Sequence, residues 1–329
     1  MPESETLFRD TDQKSADVVL VCPFCNNGKP GTLYSASGFR FFRCSNCHSV
    51  FRIDAGVEVS HEYNAEYYGD SPKEKFWLKP VVWLLNAERG SRARFISKRI
   101  SKSSSVLDIG CGNGALLHKI HQLSGAAVTG VEMDNVAAKR ARDRGCITVF
   151  SDSFEKAPLQ RFSFDVIEMI HSFEHIPVPG NTLHKVAELL KPGGLFYLSI
   201  PNVNSIQYGL FGRFWLHLDP EFHLHFISRK QLLKLASEAG FKYIKTRHFN
   251  PVQNIPGFIL SAMNVVTGRR DVLFNMLRHK KKLRNPLNII LFLFLMIFAV
   301  ILLPFAIFEE VISCITGHGA TVDYVFEKE

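Results

Sequence analysis

The chain lacks an apolar leader: Met1 to Asp17 is polar and acidic, without the hydrophobic core that a secretory signal needs. It also lacks internal repeats and low-complexity tracts, which excludes a repeat array. Cysteine is sparse, with seven in 329 residues, and four of the seven fall into two Cys-x-x-Cys pairs. That pattern excludes a secreted disulfide framework and suits metal binding in a reducing compartment. The expected location is therefore the cytosol or the cytosolic face of a membrane.

What is present is a chain long enough for one α/β catalytic domain and a smaller module. Its apolar fraction, 46%, is ordinary for a globular protein, yet the mean hydropathy is +0.03, so the apolar residues must be concentrated somewhere. The net charge of +8 suits an anionic partner (nucleic acid, anionic lipid or a phosphorylated substrate), or else a solvated surface.

From Ser104 onward, short strand-like runs alternate with helical stretches. Ser105–Ile109, Ala127–Val131, Ile147–Phe150, Phe164–Ile170 and Leu195–Ile200 are rich in Val, Ile, Leu or Phe, and Thr182–Leu190 between them has helical spacing. This alternation predicts an α/β fold, a buried parallel sheet with helices on both faces. Ahead of it, residues 61–103 read as a helical cap or linker.

The run Val106-Leu-Asp-Ile-Gly-Cys-Gly-Asn-Gly114 ends a strand, turns on glycines and starts a helix at Ala115. Missing side chains there let a ligand approach the backbone and the helix N-terminus. Taken alone it is ambiguous, because Gly110-x-Gly112-x-x-Ala115 also fits a dinucleotide fingerprint. Asp108 stands two residues before the first glycine. Glu132 ends the second strand, where a carboxylate can accept both hydroxyls of a ribose, and Asp152 follows the third.

With these pieces in order, Leu107–Gly114 resembles motif I of the class I S-adenosylmethionine-dependent methyltransferases. Phe164-Asp-Val-Ile-Glu-Met-Ile170, Phe173–Pro177 and Leu190–Asn202 fit the same resemblance. Phe222-His-Leu-His-Phe-Ile-Ser228, with the helix to Ala239-Gly-Phe241, is similar to the small-molecule branch that includes ubiquinone O-methyltransferases. The resemblance covers Ser104 to Phe249. It implies a Rossmann-like seven-stranded sheet whose last strand is antiparallel and inserted beside the fifth. It also implies S-adenosylmethionine held by Asp108, Gly110, Gly112, Gly114, Glu132, Met133, Asp152 and Ser153.

A hydroxyl acceptor needs a proton acceptor of near-neutral pKa, and histidine is the usual choice. His171 and His175 follow the fourth strand, where open α/β sheets place substrates, and His223 lies in the segment resembling the family's acceptor side. These three are the catalytic candidates, beside a structural role for any one of them. Glu168, His171, Glu174 and His175 also admit a divalent-metal reading, since some relatives use a metal nearby. Tyr208 to Trp215 reads as an aromatic lid over the acceptor or, equally, as helix packing.

Cys22, Cys25, Cys44 and Cys47 can supply a closed tetrahedral zinc site, with His48 a weaker candidate. The stretch from Cys22 through Phe51, and then Tyr63 to Gly69, resembles the zinc-ribbon leader of bacterial methyltransferases of cell-surface polysaccharide and lipid pathways. Finally, Leu287 to Phe308 carries no charge and follows the basic run Arg278–Arg284. As a helix it measures about 33 Å, enough to cross a hydrocarbon core of about 30 Å.

The resulting division is a disordered tail (1–17), a zinc ribbon (18–60), the helical cap (61–103) and a methyltransferase domain (104–250). A hydrophobic membrane-associated insertion (251–319), re-entrant or interfacial and broken at Pro304, precedes the sheet's final strand (320–329). The expected function is methylation, at a cytosolic membrane face, of a hydroxyl on a small-molecule, lipid-linked or saccharide acceptor. Two alternatives remain: an RNA methyltransferase, although RNA-binding signatures and the Pro-Pro-aromatic box are missing, or a non-catalytic membrane-tethered module.

Overall fold

The computed structural model describes residues 21–28, 31–53, 79–278 and 285–329. The expected tail, the Val18–Leu20 stretch, Tyr63–Gly69, the first part of the helical cap and most of the basic run lie outside them. Chain order is β1 (Thr32–Ala36), β2 (Phe39–Arg43), β3 (Val50–Ile53), α1 (Lys79–Ser97), β4 (Ser105–Ile109), α2 (Ala115–Ser124), β5 (Ala127–Glu132), α3 (Val136–Arg142), β6 (Ile147–Ser151) and β7 (Phe164–Ile170). It continues with α4 (Pro179–Leu189), β8 (Leu190–Pro201), α5 (Ile206–Phe211), β9 (His225–Phe226), α6 (Arg229–Glu238), β10 (Phe241–Arg247), α7 (Pro251–Thr267), α8 (Val272–Arg278), α9 (Pro286–Thr316) and β11 (Thr321–Lys328).

These elements form two compact units. Among the described residues, the sheet unit takes those within 58–200, 233–246 and 323–329, and the ribbon unit those within 21–57, 201–232 and 247–322.

In the sheet unit, seven strands run in the order β10-β11-β8-β7-β4-β5-β6. The pairs β4–β5, β4–β7, β5–β6 and β7–β8 are parallel. Parallel strands need covered faces, and Val106, Leu107 and Ile109 of β4 and Val166, Ile167 and Met169 of β7 are all buried. The final stretch of the chain joins the sheet as β11, beside the fifth sheet strand β8, as expected. Each turn into a helix has a local cause. Gly114, left-handed at φ 68°, caps α2, and the Asn135 side chain accepts from the N–H groups of Ala137 and Ala138 at the start of α3.

Three expectations are corrected here. The fifth strand, expected at Leu195–Ile200, starts at Leu190 directly after α4, so Lys191-Pro-Gly-Gly194 both follows the helix end and lies inside β8. There the register jumps from Phe164↔Leu190 to Val166↔Leu195, a bulge that Gly193 permits at φ 73°. Second, a boundary at 104 cuts through a packed core, because Ala93 and Ile96 of α1 share one apolar cluster with Val106, Leu117, Ile120 and Val166. Third, the hydrophobic helix is not broken at Pro304. α9 runs through it for 31 residues, about 46 Å.

In the ribbon unit β1, β2, β3 and β9 form an antiparallel sheet. The aromatic run is core here, not lid: Tyr208 and Trp215 are fully buried with Phe41, Phe226 and Leu218. Tyr208 hydroxyl meets that of Tyr34 at 3.0 Å. The ribbon thus shares one core with residues 201–218, whereas the sequence division set it apart as residues 18–60.

Helix α9 packs along one stripe against α7 and α8. Glu309 and Glu310 lie buried at its end: Gln207 Nε2 donates to Glu309 (2.7 Å), and Asn254 Nδ2 and the Asn250 N–H donate to Glu310 (2.8 and 2.7 Å). Elsewhere its surface is apolar and open, with Leu293, Ile297, Val300 and Phe305 each more than half exposed.

Candidate active site and metal centre

The carboxyl ends of β4, β5 and β6 lie side by side in register, with Ile109 opposite Val131 and Glu132 opposite Ser151. This brings the glycine turn, Glu132 and Asp152 to one edge of the sheet. The N–H groups of Gly110 and Cys111 both donate to Val131 carbonyl, at 2.8 and 3.1 Å, which ties the turn to β5. Buried Glu132 accepts from Gly112 N–H at 2.8 Å, and from Met133 N–H and Asn135 Nδ2 at 3.1 Å each. Three donors fix one carboxylate against the turn.

Gly110, Gly112 and Gly114 all have left-handed backbones, at φ 82°, 52° and 68°. Their surroundings differ. A Cβ on Gly110 would stand 2.5 Å from that of Ser172, and one on Gly114 the same distance from Ile147 Cδ1. A Cβ on Gly112 would meet nothing within 4 Å. The turn therefore has an open cradle over Gly112, at the N-terminus of α2, where a ligand can approach bare backbone. Asp152 is exposed at the mouth and accepts from Ser153 N–H at 2.7 Å, and Met133 is half-exposed beside it.

Behind the turn, Asp108 pairs in register with Glu168 and Glu168 with Tyr197, so three adjacent strands carry a buried polar row. Burial and the neighbouring Glu132 charge push Asp108 up to about 8, against the pull of Arg92. Burial and Asp108 hold the Glu168 carboxyl well above its ordinary value. Arg92 of α1 supplies the counter-charge. It reaches Glu88 at 2.8 Å and both Asp323 of β11 and Ser199 Oγ at 3.3 Å, and Tyr197 hydroxyl donates to Asp323. Sequence reasoning missed Arg92 and Asp323, because neither sits in a motif. Only a charged residue within an otherwise packing helix or strand hints at them.

Of the catalytic candidates, His171 and His175 belong to the sheet unit and His223 to the ribbon unit. His171 follows β7 directly with a left-handed backbone (φ 51°), its N–H held by Ser199 carbonyl at 2.9 Å. Its Nδ1 lies 3.5 Å from buried Glu174, and its Nε2 is buried without a hydrogen-bond partner among the described residues. His175 ends a single 3-10 turn, Phe173–His175. His223 is buried, and its Nδ1 faces His217 carbonyl at 2.8 Å. A carbonyl only accepts, so Nδ1 carries the proton.

The four cysteines of the ribbon converge. All four sulfurs lie within 4.8 Å of one another, with Cys22–Cys47 at 3.6 Å and Cys25–Cys44 at 3.7 Å. A tetrahedral site with metal–sulfur bonds of about 2.3 Å has sulfur–sulfur edges of roughly 3.8 Å, so the set fits a four-coordinate ion. Two matching turns build it. Asn26 N–H reaches Cys22 carbonyl and His48 N–H reaches Cys44 carbonyl, each at 2.9 Å, with Asn26 and His48 at positive φ. His48 itself is exposed and stands outside the sulfur cluster.

Comparison with known proteins agrees with this geometry. Residues 87–246 match a family of methyltransferase domains. Ubiquinone biosynthesis O-methyltransferase of Colwellia psychrerythraea is 32% identical over 187 residues, covering 49% of this chain and 76% of the relative. The protein of the same name from Salmonella arizonae is 31% identical over 220 residues, covering 60% and 87%. Among solved structures, geranyl diphosphate methyltransferase in complex with S-adenosylmethionine superposes with a TM-score of 0.50 at 13% identity, covering 79% of this chain and 93% of that one. That likeness concerns the fold. The chain belongs to the class I S-adenosylmethionine-dependent methyltransferases.

Proposed function

We propose that this methyltransferase O-methylates a small-molecule acceptor, lipid-linked or saccharide in nature, at the cytosolic face of a membrane. The observation that carries the cofactor half is the open cradle over Gly112 with Glu132 locked beside it. In this reading Gly110, Gly112 and Gly114 give bare backbone to the amino-acid part of S-adenosylmethionine, with Asp108 behind them. Glu132 and Met133 take the ribose, and Asp152 and Ser153 the adenine. When bound, S-adenosylmethionine supplies an electrophilic methyl group for in-line displacement.

The chain's own part is to orient the acceptor and hold its proton. His223 is suited to this, with its ring anchored through Nδ1 on His217 carbonyl. His171 is suited through its buried Nε2, and His175 orders the loop after β7. Similarity to ubiquinone O-methyltransferases supports oxygen as the receiving atom. Zinc in the Cys22–Cys25–Cys44–Cys47 set is read as structural, because all four positions are filled by protein ligands. The broad apolar face of α9 supports membrane association.

Two experiments test the proposal. Glu132→Ala should weaken S-adenosylhomocysteine binding by about 1.5–3 kcal/mol, the loss expected of charge-assisted hydrogen bonds. Unchanged affinity in calorimetry would remove Glu132 from the cofactor site. Incubation with methyl-labelled S-adenosylmethionine and fractionated cell extract should then place the label in lipid or glycan fractions. Label recovered in RNA would refute the acceptor class.

A further inference from the structure

The ribbon and the segment carrying His223 are joined through the metal-binding turns themselves. Phe24, inside the first Cys-x-x-Cys, gives its carbonyl to Gln231 Nε2 at 2.6 Å. Cys47, closing the second, gives its carbonyl to Ser228 Oγ at 2.5 Å, and Ser228 N–H donates to Ser49 Oγ at 2.9 Å. Both recipients sit where α6 begins, and both are buried.

On the other side, β3 pairs with β9, matching Val50 to Phe226 and Phe51 to His225. Arg52 holds the chain just before His223: its Nη1 donates to the carbonyls of Pro220 and Glu221 at 2.8 and 3.0 Å, and its N–H to that of Leu224 at 2.8 Å. The ring of Phe24 packs edge-on against His225, and that of His223 against Phe226. Every one of these contacts lies within the ribbon unit.

We infer that the four-cysteine ribbon is the brace of the acceptor-side segment. Its metal fixes the carbonyls of Phe24 and Cys47, and through Ser228, Gln231 and Arg52 it sets the backbone and tautomer of His223. Ser228, Gln231 and Arg52 are then positioning residues. The inference rests on the zinc and acceptor-side readings above, and it explains why a metal module belongs with this methyltransferase without recruiting a partner.

The cysteines stand in two short turns beside strands of four or five residues, and a bound ion would cross-link those turns and fix their shape. Once the turns loosen, Ser228 and Gln231 lose buried acceptors that water cannot readily replace.

The test uses full-length protein in detergent, 15N-labelled at histidine, in three forms: as purified, chelator-stripped, and Ser228→Ala/Gln231→Leu with its cysteines intact. Zinc content, hydrogen exchange, S-adenosylhomocysteine calorimetry and the His223 tautomer in long-range 1H–15N spectra are read on each. Amides of residues 222–232 should exchange about tenfold faster in the stripped and doubly substituted forms, as for a locally opened segment. His223 should lose its single Nδ1-protonated tautomer, while S-adenosylhomocysteine affinity stays within about twofold, because the cofactor turn lies in the other unit. Ser228→Thr, which keeps the hydroxyl, should retain the native exchange and tautomer.

Zinc present but exchange and tautomer unchanged on stripping would overturn this inference alone. Absence of zinc from the purified protein would overturn both it and the metal assignment. If stripping abolishes S-adenosylhomocysteine binding, the double variant decides: native exchange and tautomer there refute the brace.

Discussion

Gly110 and Gly112 are two residues apart and share a left-handed backbone, yet a methyl group added to each should report on different things. At position 110 it is driven into Ser172 Cβ, whose Oγ donates to Ile109 carbonyl at 2.6 Å, so little can yield. Gly110→Ala should therefore lose roughly 2–3 kcal/mol of stability from overpacking and backbone strain together. Gly112→Ala meets open space and should cost only the strain, about 1 kcal/mol, while S-adenosylhomocysteine binding falls. Thermal unfolding and calorimetry on the pair check this, and full affinity in Gly112→Ala would remove the cradle assignment. Asp108 makes a separate prediction. Its folded pKa of about 8 stands above the unfolded value of about 3.9, so the folded protein keeps a proton that the unfolded chain releases. Its contribution to stability is complete below pH 4, declines as pH rises toward 8, and is flat above. Glu168 acts with the same sign. Asp108→Asn should flatten the decline between pH 5 and 8 by at most about 1.4 kcal/mol per pH unit. Parallel stability curves for variant and parent would show that Asp108 is ionised throughout.

At the level of elements, agreement follows how local the cause of each element is. β4 and β7 match the sequence reading residue for residue, because each is a short apolar run bounded by polar turns. The start of α2 at Ala115 and the convergence of the four cysteines were equally readable, since glycine geometry and ligand spacing act within a few residues. The start of β8 was placed too late for the opposite reason. The Pro-Gly-Gly run does follow the end of α4, but pairing with β7 also draws it into a bulged strand, a tertiary effect outside any local window. Tyr208 and Trp215 could line a lid or fill a core, and partners as distant in sequence as Tyr34 decide for the core. Pro304 was expected to break its helix; packing of α9 against α7 and α8 keeps it continuous. The buried row of Asp108, Glu168 and Tyr197, closed by Arg92 and Asp323, depends on strand register. Nothing in the spacing of these residues announces it.

For the molecule as a whole, the proposed membrane association turns on α9, where the excess apolar residues of the chain are concentrated. Length alone allows a crossing, because about 46 Å exceeds a hydrocarbon core of about 30 Å. Two features argue for a helix lying in one leaflet. Its end is held by buried Glu309 and Glu310 against α5 and α7, and β11 joins the sheet only a few residues later. It also packs against α7 and α8 of the same unit, so a crossing would have to carry those helices with it. A β11 on the far side of the bilayer would also leave β8 and β10 with unpaired edges. Both flanks are therefore predicted to face the cytosol, with the face bearing Leu293, Ile297 and Val300 immersed. Leu293→Lys/Ile297→Lys/Val300→Lys should release the protein from membranes, because each charge opposes immersion while the buried stripe through Leu295 and Ala306 is untouched. S-adenosylhomocysteine affinity of that variant should equal the parent's. A thiol introduced by Lys328→Cys should react with an impermeant reagent in inside-out vesicles and not from outside intact cells. Labelling from outside would establish a true crossing and would be incompatible with β11 as a strand of this sheet.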